Sequence, residues 1–261
     1  MRIVRFTVSD QIAFGVVTGD EADPASMTVT AIDGHPFAPF EQTSVTFPLN
    51  DVRLLPPVLP NKVIGIGKNY ADHAREMGGE PPSTPVMFLK PSTTVAGPDE
   101  AVVLPPQSTQ VEFEGEIALV VGRLARHVPP ERVGDVTLGY TCADDVTARD
   151  LQRSDGQWTR AKSFDSFCPL GPWIETEADP NALAVTTVVN GETRQSAPAS
   201  DMVHTLSDLV VFVSSVMTLL PGDVILTGTP AGVGPLTAGD NVEVTVNGVG
   251  TLRHRVVTAD D

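Results

Sequence analysis

The chain has 261 residues, of which 41% are hydrophobic, and it carries a formal net charge of −16 at pH 7. This length suits one large domain, or a large domain joined to a small one, with a sizeable buried core. The strong negative charge argues against binding to nucleic acid or to an anionic membrane surface, because both would repel an acidic protein.

No targeting or membrane signal is evident in the sequence. The N-terminal stretch MRIVRFTVSD has no apolar core followed by a small-residue cleavage site, and the apolar run near Leu209 to Leu220 is too short to span a bilayer. Cys142 and Cys168 form neither a disulfide framework nor a zinc motif. We therefore expect a cytoplasmic protein without a membrane partner.

The first part of the chain is typical of short strands and turns. IVRFTV and IAFGVVTGD are apolar or alternating segments, and DGHPFAPF is rich in turn residues. The proline-rich stretch LLPPVLPNK, from Leu54 to Lys62, indicates a boundary. We predict a small N-terminal β-rich domain over residues 1–57 and a larger catalytic domain over residues 58–261.

Strands also dominate the larger unit. KVIGIG, VMFLK and EGEIALVVG predict strands, and the Asn-Gly pairs in VTTVVNGETRQ and VEVTVNGVGTLRHRVV predict two hairpins. One helix is predicted from a capping box at Thr205 and Asp208 to Leu220, and a shorter one begins at Thr147. Many strands with few helices predict an α+β, mostly-β fold.

Three glutamates alternate along the segment VEFEGEIALVVG. In an extended strand Glu112, Glu114 and Glu116 share one face, because successive side chains point to opposite sides. Same-face neighbours lie roughly 6.5–7 Å apart, so flexible carboxylates can converge on one cation. The same pattern is also typical of a solvated strand face, and the residues alone leave both interpretations open.

A second acidic segment is GYTCADDVTARDLQ. Asp144 and Asp145 follow an apolar-leaning run, so an acid can lie at a strand end where ligands gather. Taken alone, the residues favour a helix cap, with Asp145 or Thr147 capping TARDLQ. Two glutamates and an aspartate would form an all-oxygen set that suits Mg²⁺ or Mn²⁺ rather than zinc.

Other candidates for chemistry are a histidine–glutamate pair, a lysine and a threonine. His73 and Glu76 share a helical face, where a carboxylate can orient an imidazole as a base, although a surface turn also fits. Lys162 lies beside aromatics and can stabilise an oxyanion, although it can equally be a surface lysine. Thr229 lies in a glycine-rich turn whose free N–H groups can hold an anionic oxygen. Predicted to be structural are His35, His127, His204 and His254.

Together and in this order, these segments resemble the fumarylacetoacetate hydrolase family. The similar motifs cover nearly the whole chain from Val63 onward. The resemblance implies a mixed β-sandwich roll, a small N-terminal domain as in bacterial members, and a homodimer. The motifs are GKNYADHAREM, VMFLKPST, EFEGEIALVVG, GYTCADDVTARDLQ, WTRAKSFDSFCPLGP, NGETRQ, LLPGDVILTGTPAGVGP and GVGTL.

The resemblance also implies a set of site residues. It selects Glu114, Glu116 and Asp145 as ligands of Mg²⁺ or Mn²⁺ and leaves out Glu112. It implies that His73 and Glu76 form the base on a mobile lid, and that Lys162 holds or polarises the substrate. Further residues implied to contact the substrate or tune the site are Gln152, Thr229, Lys68 and Lys90.

The activity implied is metal-dependent cleavage of C–C bonds in acylpyruvates or β-keto dicarboxylic acids through a metal-stabilised enolate. It would proceed by hydrolysis or by oxaloacetate-type decarboxylation of a small anionic 2-oxo acid. One alternative is a 2-hydroxyhepta-2,4-diene-1,7-dioate-type isomerase or decarboxylase of aromatic catabolism. Another is a non-catalytic 2-oxo acid-binding protein on the same fold, against which the complete ligand set and the His73–Glu76 pair argue.

Overall fold

The computed structural model describes residues 1–259, so the last two residues of the predicted 58–261 domain lie outside it. Strands dominate this part of the chain, and none of its helices is long and apolar enough to cross a membrane. The strands are Arg2–Val8 (β1), Gln11–Thr18 (β2), Thr28–Asp33 (β3), Glu41–Pro48 (β4), Arg53–Leu55 (β5), Val63–Gly67 (β6), Val86–Lys90 (β7), Val95–Ala96 (β8), Ala101–Leu104 (β9), Val111–Phe113 (β10), Gly115–Val121 (β11), Thr137–Asp144 (β12), Thr147–Ala148 (β13), Cys168–Glu175 (β14), Ala184–Val189 (β15), Glu192–Pro198 (β16), Val224–Leu226 (β17), Gly234–Pro235 (β18), Asn241–Val246 (β19) and Gly250–Thr258 (β20). The α-helices are Ala71–Glu76 (α1), Val133–Val136 (α2), Arg149–Asp155 (α3), Thr159–Lys162 (α4) and Leu206–Val216 (α5).

A twelve-stranded sheet forms the largest part of the fold. Its main path runs in the order β4-β3-β2-β1-β14-β12-β11-β17-β6-β7, and β5 and β8 pair with β1 and β14. The N-terminal strands join this sheet where Ile3 of β1 pairs with Ile174 of β14. The segment 1–57 therefore shares a continuous sheet with the rest, and its status as a separate domain stays a prediction.

Both predicted hairpins are confirmed in a five-stranded sheet of order β16-β15-β19-β20-β9. At the turn between β15 and β16, Asn190 and Gly191 both have positive φ angles, of 52° and 81°. This is the conformation that a two-residue Asn-Gly hairpin requires. A third, small sheet has the order β13-β10-β18. The mostly-β, α+β architecture predicted from the sequence is confirmed.

The central strand β11 is buried on both faces. Ile117 and Leu119 belong to one apolar cluster, which also contains Val244 of the five-stranded sheet. Ala118 and Val120 belong to a second cluster on the other side. Because full burial of one aliphatic side chain contributes about 1.5–3 kcal/mol, this strand is firmly held. It is therefore a rigid support for the acidic residues at its N-terminal end.

Helix α5 begins as predicted but ends earlier. The hydroxyl of Thr205 accepts the backbone N–H of Asp208, whose side chain completes the capping box. The predicted end at Leu220 is wrong, because the helix stops at Val216. Leu219 instead exchanges two backbone hydrogen bonds with Ala125, at 2.8 and 2.9 Å, which draws the chain out of the helix.

The short helix after the second acidic segment also begins later than predicted. Thr147 and Ala148 form strand β13, and Ala148 pairs with Val111 of β10, so α3 starts at Arg149. No side chain caps this helix. The interpretation of Asp145 or Thr147 as a helix cap is therefore wrong: strand pairing occupies this stretch and leaves the Asp145 carboxylate available for other contacts.

Candidate metal centre and active site

Three carboxylates converge at the point where β10 gives way to β11. Glu114 lies between these strands, Glu116 is the second residue of β11, and Asp145 follows the end of β12. Pairing of Gly115 with Asp144 brings Asp145 beside Glu114, whose carbonyl accepts the Asp145 N–H at 2.8 Å. One ligand oxygen from each of the three acids lies within 4.8 Å of the others, and all three residues are buried. The structure thus brings together the three acids that the family resemblance selects.

Lysines from two different elements contact this cluster. Lys162, at the end of α4, donates to Glu114 at 2.8 Å and to Asp145 at 2.6 Å. Lys90, at the end of β7, donates to the other oxygen of Asp145. Burial lowers the pKa of Lys162, but Asp145 and Glu114 more than offset this, so its pKa is raised above the ordinary value. The lysine therefore stays protonated at neutral pH and is no ordinary surface lysine.

Arg149 is a site residue that the sequence analysis missed. Its Nε donates to Glu112 at 2.7 Å, another nitrogen bonds to Glu114, and Nη1 donates to Gln152 at 2.7 Å. The arginine is buried and opens helix α3, an end of a helix that disfavours a cation. An arginine in the first turn of a predicted helix therefore indicates that acidic side chains lie nearby. Its bond to Glu112 also explains why that glutamate stands apart from the other three acids.

Glu116 is the least neutralised member of the cluster. Its carboxylate accepts the N–H of Gly228 at 2.7 Å. Burial, followed by repulsion from Asp145 and Glu114, raises the pKa of Glu116 well above its ordinary value. Burial also acts to raise the pKa of Glu114, but Lys162 and Arg149 bring it below the ordinary value. A buried carboxylate that lacks a cation of its own is what a divalent metal ion would relieve, so the residues fit Mg²⁺ or Mn²⁺.

The charges around the cluster nearly balance. With all groups ionised, four carboxylates face three cations, which leaves a formal charge of −1. A bound dication would change this to +1 and so favour an anionic ligand. The groups counted are Glu112, Glu114, Glu116, Asp145, Lys90, Lys162 and Arg149.

The predicted acid–base pair is formed on helix α1. Nδ1 of His73 lies 3.0 Å from Oε2 of Glu76, three residues further along the helix. His73 is buried, whereas Glu76 is half-buried and also accepts the N–H of Gly232 at 3.0 Å. The pair is therefore held from two sides, and the alternative of a fortuitous pair on a surface turn is not what the structure shows.

A small cavity of about 30 Å³ lies between the pair and the acidic cluster. Most of the predicted site residues line this cavity. Glu76 and Asp145 lie behind its wall, bonded to the lining residues His73 and Lys162, and Lys90 is bonded to Asp145. Lys68 has a positive φ of 58° at the end of β6, which turns the chain towards α1. The predicted residues that line the cavity are Lys68, His73, Glu114, Glu116, Gln152, Lys162 and Thr229.

The glycine-rich turn after β17 donates backbone hydrogen bonds to two carboxylates of the protein itself. Gly228 and Gly232 donate their N–H groups to Glu116 and Glu76, so these two groups already have acceptors. The hydroxyl of Thr229 donates to the carbonyl of Gly115 at 2.9 Å and accepts from Gln195 at 2.7 Å. Contact between Thr229 and a substrate stays a prediction, as do the contacts assigned to Gln152, Lys68 and Lys90.

A larger groove, of about 930 Å³, contains none of the predicted site residues. It lies between the N-terminal segment and β20, beside Trp173. Two of its arginines are already paired, Arg53 with Glu100 and Arg253 with an acid on the neighbouring strand. Size alone therefore does not identify the reactive site, and the chemistry is concentrated in the small cavity.

Comparison with known proteins gives consistent results over the whole chain. The fumarylacetoacetate (FAA) hydrolase C-terminal family matches residues 62–257, and the Rv2993c-like N-terminal family matches residues 1–57. Protein Rv2993c of Mycobacterium tuberculosis is 52% identical over 98% of both chains. The human mitochondrial oxaloacetate tautomerase FAHD2A is 42% identical over 80% of this chain and 71% of its own length.

A solved structure shows the same architecture. The crystal structure of a 2-hydroxyhepta-2,4-diene-1,7-dioate isomerase from Mycobacterium marinum matches with a TM-score of 0.94 and 48% identity, over 100% of both chains. The mixed β-sandwich roll predicted from the resemblance is thereby confirmed. Sequence, fold and site geometry agree: this chain, with its Rv2993c-like N-terminal segment, belongs to the fumarylacetoacetate hydrolase family, and its relatives include proteins named as enzymes.

Proposed function

We propose that this protein is a divalent-metal-dependent enzyme that breaks a C–C bond in short 2-oxo dicarboxylic acids, by decarboxylation or by hydrolysis. The observation that carries the proposal is the placement of a buried acidic cluster and the hydrogen-bonded His73–Glu76 pair around one cavity. A 2-oxo acid presents adjacent carboxylate and keto oxygens, which suit a hard cation. Cleavage of its C–C bond also needs a group that donates or accepts a proton.

The residues that would hold the cation are Glu114, Glu116 and Asp145. A bound Mg²⁺ or Mn²⁺ would supply Lewis-acid charge for the keto oxygen and for the enolate that follows. Lys162, buried among these acids and protonated, adds a positive charge that can orient a substrate oxygen and stabilise developing negative charge. The cavity wall at Ile66 and Trp158 limits water around the reacting atoms.

His73 is the group positioned to move a proton. Its Nδ1 is bonded to Glu76, so Nε2, which has no hydrogen-bond partner among residues 1–259, is the nitrogen free to exchange one. In decarboxylation of oxaloacetate, the bond to the distal carboxylate breaks, CO₂ leaves, and the electron pair forms the pyruvate enolate. His73, which carries a proton on Nε2 for this step, then donates it to the enolate carbon and regains a proton from water. In hydrolysis of an acylpyruvate, the same imidazole takes a proton from the water that attacks the distal carbonyl. The C–C bond between that carbonyl carbon and the pyruvate unit then breaks, a carboxylic acid leaves, and the electron pair forms the pyruvate enolate, to whose carbon the imidazole returns the proton.

A second candidate is keto–enol tautomerisation or double-bond isomerisation of the same class of acid. Here the His73–Glu76 pair only moves a proton, and no C–C bond breaks. The relatives that are named as an oxaloacetate tautomerase and a dienedioate isomerase favour this candidate. A third possibility, a binding protein without turnover, is disfavoured because the acidic cluster and the His73–Glu76 pair lie at one cavity.

A substrate panel tests the proposal and separates the candidates. Oxaloacetate, acylpyruvates and hydroxymuconate-type diacids are assayed with Mg²⁺, with Mn²⁺ and with EDTA. Pyruvate formation that requires metal supports C–C cleavage, whereas a change in enol absorbance without pyruvate supports tautomerisation. Ligand binding without turnover of any member of the panel contradicts an enzymatic role.

We also propose that the protein is a homodimer, as the family resemblance implies. Light scattering on the purified full chain tests this directly. A mass of twice 27.6 kDa is the expected result, and a mass of 27.6 kDa contradicts it.

A further inference from the structure

A buried aspartate–histidine pair lies directly behind the acidic cluster. Nε2 of His254 is 2.8 Å from Oδ2 of Asp144, and both side chains are fully buried. Asp144 ends strand β12 of the large sheet, and His254 lies on β20 of the five-stranded sheet, so the pair joins the two sheets. Neither residue has a part in the reaction proposed above.

Asp144 fixes the backbone of a candidate metal ligand. Its other oxygen, Oδ1, accepts the N–H of Glu114 at 2.7 Å. The carbonyl of Glu114 in turn accepts the N–H of Asp145 at 2.8 Å. Glu114 lies between β10 and β11 and belongs to neither strand, so these two hydrogen bonds replace the ladder that would otherwise hold it. We name this reciprocal arrangement of Glu114, Asp144 and Asp145 the clasp.

The side chain of His254 has one hydrogen bond among the residues that the structure describes, and it is directed at the clasp. Because a carboxylate only accepts hydrogen bonds, the shared proton lies on Nε2. Nδ1 of His254 is buried and has no partner among residues 1–259. A buried polar atom without a partner costs stability. Packing alone would be served better by an aliphatic side chain, so the bond to Asp144 is the reason that the position uses histidine.

We infer that His254 is a positioning residue for the metal centre, acting through Asp144 on Glu114. Its bond fixes the orientation of the Asp144 carboxylate, which fixes the peptide that carries Glu114 and so the meeting of its side chain with Glu116 and Asp145. The inference rests on the proposed metal-dependent function. Groups bonded directly to metal ligands typically change metal affinity by 10–100-fold when removed. His254 acts one hydrogen bond further out, through Asp144, so an effect at the lower end of that range is expected.

Isothermal titration of the purified full chain with Mn²⁺ alone tests the inference without reference to turnover. His254→Leu removes the donor at similar volume and is expected to weaken Mn²⁺ binding about tenfold or more. His254→Gln places an amide N–H within reach of Asp144 and is expected to keep the dissociation constant within about threefold of the wild type. If His254→Leu does not fold, His254→Asn, whose amide is too short to reach, replaces it with the same expectation.

Leu252→Ala is the matched control for loss of packing. Leu252 is buried on the same face of β20, two residues before His254. Its aliphatic side chain forms no hydrogen bond to the clasp. It is expected to lower the melting temperature and leave Mn²⁺ affinity unchanged. Wild-type affinity in His254→Leu, or equal weakening in the Leu252 control, overturns the positioning role while the metal centre stands. No Mn²⁺ binding by the wild type overturns the metal centre as well.

Discussion

The amide nitrogen of Gly228 lies 2.7 Å from Oε2 of Glu116, and it is the one hydrogen-bond donor that residues 1–259 give to this buried carboxylate. The other two acids of the cluster each contact a lysine, whereas Glu116 contacts none directly within residues 1–259. Its charge is therefore the one that a metal ion would neutralise. This relationship links the turn after β17 to the metal centre, and the first two predictions follow from it.

Glu116→Gln keeps the shape and the acceptor for Gly228 but removes the charge. The variant is expected to melt at a higher temperature than the wild type in EDTA, because buried repulsion from Asp145 and Glu114 is relieved. It is also expected to lose the rise in melting temperature that Mg²⁺ gives the wild type. Thermal unfolding with and without Mg²⁺ measures both effects. A variant that Mg²⁺ still stabilises fully contradicts the role of Glu116 as a ligand.

Gly228→Ala tests the turn that supports Glu116. Gly228 has a φ of 100°, and a Cβ there would lie 2.6 Å from Cβ of Asn69. We expect a loss of more than about 1 kcal/mol in the free energy of unfolding, because alanine is strained at this φ. We also expect weaker Mn²⁺ binding, because relief of this clash shifts the backbone N–H that Glu116 accepts.

Gly134→Ala is the matched control for this substitution. Gly134 lies in helix α2, its φ is not positive, and a Cβ added there would have nothing within 4 Å. Alanine is expected to be neutral or stabilising there, by up to about 1 kcal/mol. Urea unfolding measures both variants, and equal stability of Gly228→Ala and the wild type contradicts the argument.

His73→Ala separates proton transfer from metal binding. Removal of a general base is expected to lower kcat by about 10²–10⁴-fold and to leave the dissociation constant for Mn²⁺ unchanged. Steady-state kinetics with the best substrate of the panel, together with Mn²⁺ titration, measure the two quantities. Asp72→Asn is the control on the same helix, since Asp72 is exposed and Arg75 is its one ion-pair partner in the described part of the chain. Full activity of His73→Ala removes the assignment of the base.

Asp150 gives a prediction for the dependence of stability on pH. Slight burial acts to raise its pKa, but hydrogen bonds from Ser108 and Thr109 outweigh this and lower the pKa to about 2. A carboxyl whose pKa is lower in the folded state stabilises the fold above its unfolded pKa, and this contribution is lost as the pH falls towards the folded pKa. The stabilisation is therefore present above about pH 4 and disappears between about pH 4 and pH 2.

Asp150→Asn tests the direction in which this contribution to stability changes with pH. At pH 6 the variant is expected to be less stable by up to about 1 kcal/mol, since the group lies near solvent and its interactions are screened. At pH 3 the difference from the wild type is expected to be smaller. Urea unfolding of both proteins at the two pH values measures it. A difference that grows as the pH falls contradicts the pKa direction.

The elements whose signals are local were predictable from the sequence. The apolar run in EGEIALVVG predicts strand β11, the Asn-Gly pairs predict their hairpins, and Thr205 with Asp208 predicts the start of α5. The end of α5 was not predictable, because it depends on pairing of Leu219 with Ala125, a residue 94 positions away. Likewise, the sequence indicates no pairing between the N-terminal strands and β14.

The same division applies to the site. Glu114 and Glu116 share a local pattern, but Asp145 joined them only through the resemblance to a family, since nothing local places β12 beside β11. Arg149 and His254 were missed because their partners are distant: Glu112 lies 37 residues from the arginine, and Asp144 lies 110 residues from the histidine. Buried hydrogen-bonded pairs of this kind become visible only when the strands are assembled.

The most direct test of the central claim is the rate of oxaloacetate turnover by EDTA-stripped protein as Mn²⁺ is restored. Glu116→Gln is assayed in parallel, and the same solutions without protein measure the uncatalysed background. The account predicts no turnover above background in EDTA and full recovery with about one Mn²⁺ per chain. Undiminished turnover by the stripped wild type, or recovery to the same rate by Glu116→Gln, would contradict it.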